Sequence, residues 1–325
     1  MYQSKLSLLE TEKAIKFIKD EFEHRLAKRL NLIRISSPLI VSKDSGINDY
    51  LNGFETPVGF TYRGVKMEIV QSLAKWKRMA LKRYGFKLGQ GLYADMNAIR
   101  QNETVDVFHS LYVDQWDWEK IIKAKQRNKE YLFSIVNKIY KVLCNMEKAV
   151  NRRYAKLQNK LPEEIHFIDS QSLEDLYPEL DAKRREYEIV KQHRAVFIFR
   201  IGGLLNSGIS HDGRSPDYDD WSLNGDILLY DAINDAVNEV SSMGIRVDEV
   251  SLIKQLEERN ALERRQYPYH QAIINKQLPL TIGGGIGQSR ICQFLLEKKH
   301  IGEVQASYWP NGMSADLEKE NIILL

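Results

Sequence analysis

Cysteines, long apolar runs and a strong excess of either charge are absent or scarce in this chain of 325 residues. Its two cysteines, Cys144 and Cys292, lie in apolar helical patterns, which predicts reduced core thiols and neither a disulfide nor a metal framework. No run approaches the ~18 apolar residues of a membrane span, and the first residues do not have the pattern of a signal peptide. The net charge of +3 is too small to indicate nucleic-acid binding by itself. We therefore expect a cytoplasmic protein that neither enters a membrane nor binds nucleic acid.

The remaining composition is that of an ordinary globular protein. Its hydrophobic and charged fractions are 43% and 28%, which are close to the averages for folded domains. No internal repeat or low-complexity linker divides the chain, and its length is sufficient for one large domain. We expect a single domain over residues 1–325.

The most distinctive stretch is LTIGGGIGQSRIC, residues 280–292. It predicts a short strand, a glycine turn and a helix, since glycine is favoured where the backbone needs positive φ or a close neighbour. A P-loop would need Lys-Ser or Lys-Thr after the last glycine, and a dinucleotide fingerprint would need a third glycine where Gln288 stands. Arg290, directly after the turn, suits a phosphate or a flat aromatic base. Taken alone, glycines that serve only tight packing are the more common explanation.

A second candidate is the basic segment SLAKWKRMALKRY, residues 72–84. Helical spacing places four residues on an inner face: Leu73, Trp76, Ala80 and Tyr84. The lysines and arginines around them form a charge run, which is usually a solvated face. The alternative is an anion site at the start of the helix, near Ser72, where backbone N–H groups are free.

Two strands, predicted at 91–100 and 107–116, flank a polar loop, and the second continues into the aromatic run VDQWDWE. Alternation divides this run between two faces, with Asp114, Trp116 and Trp118 on one and Gln115 and Asp117 on the other. Carboxylates in an aromatic strand are costly unless they are paired or bind a ligand. Because three acidic residues lie within six positions, a functional site is favoured over a purely structural hydrogen-bond network.

The fold class follows from how the predicted strands connect. Hairpin connections outnumber crossovers through helices. This favours an α+β fold in which an antiparallel β-sheet is flanked by helices.

Several short sequences together resemble one family. Gly285-x-Gly287-x-x-Arg290 resembles the third motif of the class II aminoacyl-tRNA synthetase catalytic core, and Arg100 with the hairpin leading to His109 resembles the second. Six longer matches, in chain order, are similar to the ammonia-dependent asparagine synthetases, or aspartate–ammonia ligases: QSLAKWKR (71–78), VDQWDWE (113–119), PDYDDW (216–221), LNGDI (223–227), SSMGIRVD (241–248) and TIGGGIGQSR (281–290). The chain departs from the family pattern at Gln71, where a histidine is usual, and in the short connection after Trp221.

The resemblance implies a class II synthetase-like catalytic core that acts as an ATP-dependent ligase in asparagine biosynthesis. The implied reaction joins L-aspartate and ammonia into L-asparagine through a β-aspartyl adenylate and releases AMP and pyrophosphate. It requires ATP as co-substrate and Mg²⁺. Class II cores are usually homodimers, so the resemblance also implies a homodimer.

The resemblance further implies roles for individual residues. The catalytic residues would be Arg100, Asp117 and Arg290. Aspartate would be bound by Asp49, in a polar loop predicted at 44–53, and by Ser72, Gln115, Asp117, Ser242 and Arg246. The nucleotide would be bound by Lys77, Arg100, His109, Gly285, Gly287 and Arg290. Mg²⁺, which prefers carboxylate oxygens and waters, would be held by Asp226 and Glu239. Arg246 is expected on the substrate carboxylate that is not activated.

Three other functions stay open. A catalytic fragment of an aspartyl- or asparaginyl-type tRNA synthetase is disfavoured because the chain has no room for an anticodon-binding module. A paralogue that senses an amino acid or nucleotide without catalysis is disfavoured because the expected arginines and carboxylates are retained. An RNA-binding role for the basic helix would show itself as a steep salt dependence of RNA affinity.

Overall fold

The computed structural model describes residues 2–51 and 55–325. Within them the helices are α1 (Leu8–Leu30), α2 (Ala74–Arg83), α3 (Lys129–Arg153), α4 (Ser170–Leu176), α5 (Ala182–His193), α6 (Glu249–Glu258), α7 (Pro268–Ile274), α8 (Gln288–Leu295) and α9 (Met313–Lys319). The strands are β1 (Leu32–Arg34), β2 (Ile40–Ser42), β3 (Gly59–Tyr62), β4 (Val65–Ile69), β5 (Gly91–Ile99), β6 (Tyr112–Ile121), β7 (His166–Asp169), β8 (Ala195–Phe199), β9 (Asp219–Asp231), β10 (Ala236–Arg246) and β11 (Thr281–Gly287). The last two residues of the loop predicted at 44–53 lie outside the described residues.

The described strands form an eight-stranded sheet in the order β1-β5-β6-β11-β10-β9-β8-β7 and a three-stranded sheet in the order β2-β4-β3. In the large sheet every pairing from β5 to β8 is antiparallel. The two edge strands, β1 and β7, pair in parallel with their neighbours. The predicted α+β fold is therefore confirmed, and the expectation of an antiparallel sheet is corrected at its edges.

The main core lies between this sheet and helices α1 and α3, which pack against each other. Phe22 of α1 stacks on Trp116 of β6 with ring centroids 4.5 Å apart, and Trp118 is buried in the same cluster. The predicted alternation of β6 is thus confirmed for its two tryptophans. It leaves Gln115 and Asp117 for the opposite side of the sheet.

The strand predicted at 107–116 begins too early, because β6 starts at Tyr112. The preceding residues turn around Asp106. Its Oδ1 accepts hydrogen bonds from the backbone N–H groups of Phe108 and His109 at 2.7 and 2.9 Å. A local side-chain partner therefore replaces the ladder that the apolar pattern suggested.

The glycine turn predicted within residues 280–292 is wrong. The glycines belong to β11, which pairs with β6 on one side and with β10 on the other. Positive φ occurs at other glycines of the described chain. The stretch is a central strand that runs directly into α8, and its glycines need a packing explanation.

The inner face predicted for the basic helix is only partly right. Leu73 and Ala80 are buried, whereas Tyr84 is 54% exposed. Three basic side chains are buried instead: Lys75, Lys77 and Arg78. Buried cations require partners, so the interpretation of this run as a solvated face is wrong for these three residues.

Both cysteines are free, as predicted. Cys292 is buried, and burial raises the pKa of its thiol to about 12. A thiol held protonated in the core is chemically inert. Among the described residues, no helix has the length and apolarity needed to cross a membrane.

Candidate active site

A cavity of about 330 Å³ lies where α2, β6, β10 and β11 meet the loops around them. It is lined by nearly all residues predicted for the site: Asp49, Ser72, Lys77, Arg100, His109, Gln115, Asp117, Glu239, Ser242, Arg246, Gly285, Gly287 and Arg290. Asp226 is the exception. The fold therefore gathers residues that are far apart in sequence around one polar space, while their individual roles stay predictions.

The glycines of β11 are required because neighbouring side chains and backbone occupy the space of a Cβ. A Cβ on Gly284 would lie 2.5 Å from Cβ of Met243 and 2.6 Å from the carbonyl oxygen of Ser242. A Cβ on Gly285 would overlap Oε1 of Gln115, a residue that lines the cavity. Tight packing is thus the correct explanation for Gly284, and Gly285 leaves room for a predicted substrate-binding side chain.

Lys77 forms an ion pair with Asp117, and the two side chains are 1% and 4% exposed. Its Nζ also donates to the carbonyl oxygen of Gly284 at 3.1 Å. Burial, together with the positive charge of Arg246, lowers the pKa of Lys77 well below its usual value. The structure thus places Lys77 beside an acidic residue of the predicted aspartate set, although the resemblance assigned it to the nucleotide.

Arg246 is held by two carboxylates. Its Nε and Nη2 donate to Oε2 of Glu119 at 3.0 and 2.9 Å, and its Nη1 donates to Asp219. Thr281 Oγ1 donates to the other oxygen of Glu119 at 2.7 Å. This network fixes the plane of the guanidinium at the cavity wall, where it can meet a further carboxylate without reorienting.

By strand alternation Asp117 and Glu119 lie on the same side of β6, and Asp114 and Asp117 both line the cavity. Glu119 serves Arg246, and Asp114 accepts hydrogen bonds from the Ser289 N–H at 3.0 Å and from Lys19 Nζ at 2.9 Å. Asp114 and Glu119 thus both take part in hydrogen-bond networks, as the structural alternative expects, and a functional role for this acidic strand stays a prediction.

Asp49 is buried, and its Oδ2 has no hydrogen-bond partner among the described residues. Burial raises the pKa of Asp49 to about 6, against the opposing charge of Lys75. Gln71, at the position of the family's usual histidine, donates from Nε2 to the carbonyl oxygen of Asp49 at 3.0 Å. Gln71 thus holds the loop that carries Asp49. Nearby, Ser72 Oγ accepts from the N–H of Ala74 at 3.1 Å.

Two arginines in the cavity have no ion-pair partner in the described part of the chain. Arg290 donates from Nη1 to the carbonyl oxygen of Glu239 at 2.7 Å. Arg100 has a buried Nε without a hydrogen-bond partner there, and burial with Arg290 nearby lowers its pKa. Neighbouring guanidinium groups without carboxylates form an anion site. His109, also at the cavity, is held through Nδ1 by Asp106 at 2.8 Å.

Of the two carboxylates predicted to hold Mg²⁺, only one lines the cavity. Glu239 lines the cavity, but Asp226 lies behind Arg214, which binds its Oδ2. Burial raises the pKa of Asp226 to about 7, with Arg214 opposing and Glu239 adding to the shift. Asp226 Oδ1 is buried without a partner in the described residues.

No group of three or more His, Cys, Asp or Glu side chains in the described ranges is arranged to hold a metal ion. Two carboxylates on the paired strands β9 and β10 nevertheless fit Mg²⁺, which usually keeps several waters and takes other ligands from substrate phosphates. The spare oxygen of Asp226 supports that fit. Arg214 covers Asp226 in this structure, and the assignment of Asp226 and Glu239 to Mg²⁺ stays a prediction.

The residues that sequence reasoning missed are those that hold predicted residues in place. Asp219 and Glu119 both bind Arg246, and each lies within a sequence match that was used only for resemblance. Arg214 precedes PDYDDW in the connection between β8 and β9. Nothing in the local pattern shows that this loop folds back onto Asp226.

Comparison with known proteins finds relatives over nearly the whole chain. The chain matches the aspartate-ammonia ligase family model over residues 9–321. An aspartate–ammonia ligase from Ruminiclostridium cellulolyticum is 55% identical over 327 residues, which is 100% of this chain and 97% of the relative. Another from Fusobacterium nucleatum is 56% identical over 325 residues, covering 100% of this chain and 99% of the relative.

Solved structures show the same fold at low sequence identity. The asparaginyl-tRNA synthetase from Pyrococcus horikoshii, complexed with asparaginyl-adenylate, has a TM-score of 0.67 at 13% identity and covers 92% of this chain and 70% of its own. An aspartyl-tRNA synthetase from Entamoeba histolytica has a TM-score of 0.62 at 15% identity, covering 91% of this chain and 58% of its own. The expected class II synthetase-like fold is confirmed.

Proposed function

The chain belongs to the aspartate–ammonia ligase family, and we propose that this ligase makes L-asparagine by activating the β-carboxylate of L-aspartate with ATP. A carboxylate resists attack by ammonia, because its charge repels the nucleophile and oxide is a poor leaving group. In the proposed route a β-carboxylate oxygen attacks the α-phosphorus, and pyrophosphate leaves. Ammonia then attacks the acyl carbon, AMP leaves with the bridging oxygen, and the new amide loses a proton.

The observation that supports this proposal best is that one cavity holds both groups suited to an amino acid and groups suited to phosphate. Its lining combines Asp49, Gln115 and Asp117, which suit an α-ammonium group, with Arg100 and Arg290, which have no carboxylate partner in the described chain. Arginines suit the planar oxygens of phosphate. An amino acid and a nucleotide can therefore be held in one space, which is what direct adenylation requires.

The orientation of aspartate follows from which carboxylate reacts. Related tRNA synthetases activate the α-carboxylate. An enzyme that activates the β-carboxylate must therefore bind its substrate in the reversed orientation. Arg246, held by Glu119 and Asp219, then pairs with the unreactive α-carboxylate. Arg100 and Arg290 stabilise the charge that develops on the α-phosphoryl group.

Mg²⁺, when bound, neutralises phosphate charge, and Asp226 and Glu239 are the carboxylates proposed to hold it. Ser242 lies opposite Asp226 in the pairing of β9 and β10, so a hydroxyl contact to substrate would adjoin that site. A cytoplasmic homodimer over a single domain, residues 1–325, completes the proposal. Light scattering of the purified protein would measure the assembly.

The test is product formation from ATP, Mg²⁺, L-aspartate and ammonium chloride, with glutamine as a parallel nitrogen source. We expect one AMP and one asparagine per turnover with ammonium alone. Aspartate labelled with ¹⁸O in its β-carboxylate should transfer one labelled oxygen to AMP. ADP and phosphate as products would contradict the adenylate, and AMP release without asparagine would point to an adenylating enzyme with another acceptor.

Two variants make this assay specific to the site. Arg100→Met removes a cavity arginine and should abolish AMP formation while the protein stays folded. Arg200→Ala removes an arginine whose side chain is 56% exposed and pairs with Asp169 at 3.7 Å, so its activity should equal that of the unmodified protein.

A further inference from the structure

The side chain of Arg214 lies among acidic groups at the edge of the cavity. It pairs with Asp226, and its Nη1 lies 3.2 Å from Oδ2 of Asp212. Arg214 itself lines the cavity, and so does Glu239, whose charge also acts on it. This guanidinium therefore pairs directly with one of the two carboxylates that are proposed to hold Mg²⁺ and feels the charge of the other.

The contacts of Arg214 are incomplete. Its Nε is buried without a hydrogen-bond partner among the described residues, and Oδ1 of Asp226 is likewise without one there. Buried donors and acceptors without partners cost free energy in a finished structure. Both atoms have capacity for a further ligand, the acid for a cation and the arginine for an anion.

We propose that Arg214 is a phosphate-binding residue that occupies the place of the metal ion in the ligand-free protein and transfers to the terminal phosphates of ATP when the carboxylates take Mg²⁺. The inference rests on the proposed function, because it names a further nucleotide-binding residue for the same site. None of the sequence motifs predicted a role for Arg214.

Charge balance favours this exchange both at the carboxylates and at Arg214. Arg214 is the described cation that pairs with the buried carboxylate of Asp226. Without it, Lys183, whose charge acts on Asp212 and Glu239, would be left to balance this acidic group. When Mg²⁺ binds that group, a retained Arg214 would be repelled by the metal. The terminal phosphates of ATP supply charge-assisted acceptors within the same cavity, and a guanidinium can bind them in a bidentate manner.

The loop that carries Arg214 has a natural reporter. Trp221 Nε1 donates to the carbonyl oxygen of Ser215, the next residue, at 3.3 Å. If Mg²⁺ and ATP move the loop, their addition should therefore change Trp221 fluorescence. In Trp221→Phe protein, the same addition should not produce this change.

The test measures two affinities that the proposal moves in opposite directions. In Arg214→Met, calorimetric binding of Mn²⁺ without nucleotide should strengthen, because the carboxylates lose their competing cation. Binding of MgATP should weaken by about tenfold or more, because a charge-assisted phosphate contact is lost. Arg214→Lys keeps the positive charge without the fork, so its Mn²⁺ affinity should stay near that of the unmodified protein and its MgATP affinity should fall between the other two.

Each outcome decides the proposal. Weakening of both affinities in Arg214→Met, with normal values in Arg214→Lys, would show a structural role and overturn it. An unchanged MgATP affinity in Arg214→Met would also overturn it, while leaving asparagine synthesis by the unmodified protein intact. Failure of the unmodified protein to bind MgATP or form asparagine would overturn the proposed function together with this inference. Arg200→Ala should leave both affinities unchanged.

Discussion

Replacing Gly284 or Gly285 with alanine should separate packing from ligand binding at two adjacent residues of β11. The Cβ of alanine at 284 would meet the backbone and Cβ of the neighbouring strand, 2.6 Å from the Ser242 carbonyl oxygen. The three atoms nearest the Cβ of alanine at 285 would all belong to the terminal amide of Gln115. A backbone neighbour cannot move away cheaply, whereas a flexible side chain can rotate.

The stability effects should therefore differ. Overpacking at 284 costs about 1–3 kcal/mol, and replacing glycine returns about 0.4–1 kcal/mol of unfolded-state entropy. The net loss is about 0–2.6 kcal/mol, with a central value of about 1.3 kcal/mol. With about 2.1 cal/mol/K of unfolding entropy per residue over 325 residues, the central value lowers Tm by roughly 2 °C, and the upper value by roughly 4 °C. Gly285→Ala should leave Tm unchanged or slightly raised.

For aspartate binding, the substitution at 285 should have the larger effect and the substitution at 284 the smaller one. Gly285→Ala displaces the Gln115 amide, and loss of a hydrogen bond to a charged substrate group costs about 1.5–3 kcal/mol, or at least about tenfold in KM for aspartate. Gly284→Ala should leave that KM near normal, since its Cβ lies against the backbone of β10. Calorimetric scans and steady-state kinetics on the same preparations measure both quantities.

A double-mutant cycle with Gln115→Ala tests the stated cause. If Gly285→Ala acts through Gln115, adding it to Gln115→Ala should raise KM little further. Additive losses would refute the reasoning, because alanine would then be excluding substrate directly. A fall in Tm for Gly285→Ala equal to that for Gly284→Ala would refute the distinction between the two neighbours.

Three further predictions concern charge and thiols. Arg246→Lys, which cannot bridge Glu119 and Asp219 in the same way, should raise KM for aspartate by about tenfold and change KM for ATP less. Because the folded-state pKa of Asp49 is about 6 and its ordinary value is 3.8, its contribution to stability is full below about pH 4 and is lost as pH rises through 6; Asp49→Asn should remove this slope, on the order of 1–3 kcal/mol in denaturant titrations. Burial raises the pKa of both thiols, so Cys144 and Cys292 should react slowly with a thiol reagent until the protein is unfolded.

Each of these predictions has an outcome that would contradict it. A larger effect of Arg246→Lys on ATP than on aspartate would place Arg246 at the nucleotide. An identical pH slope in Asp49→Asn would assign the slope to another carboxyl group, and Asp226, also with a raised pKa, provides the comparison variant. A thiol that reacts quickly in the native protein would mean that one cysteine environment opens readily.

The local pattern of residues was sufficient for much of the secondary structure, and the family resemblance of the motifs indicated which residues would line the cavity. The alternation in β6 predicted which residues face the core and which face the opposite side, because side-chain direction in a strand depends only on position. The resemblance of several motifs to one family implied that Arg100, Asp117 and Arg290 belong to one site, and all three line one cavity. Both results rest on information carried within a few residues of each motif.

Only the tertiary structure decided what distant strands and loops bring to those residues. The glycines of β11 predicted a turn from the sequence alone. In the structure, Gln115 of β6 and Met243 of β10 occupy the space where Cβ atoms on Gly285 and Gly284 would lie. The charge pattern around Lys77 predicted a solvated face. In the structure, Lys77 is buried, and Asp117 of β6 forms an ion pair with it. Arg214 covers Asp226 because a loop folds back, and such a long-range contact leaves no local periodicity in the sequence. Sequence alone therefore determined which chemical groups were available, and the packing of separate segments determined which of them are paired and which remain open to a ligand.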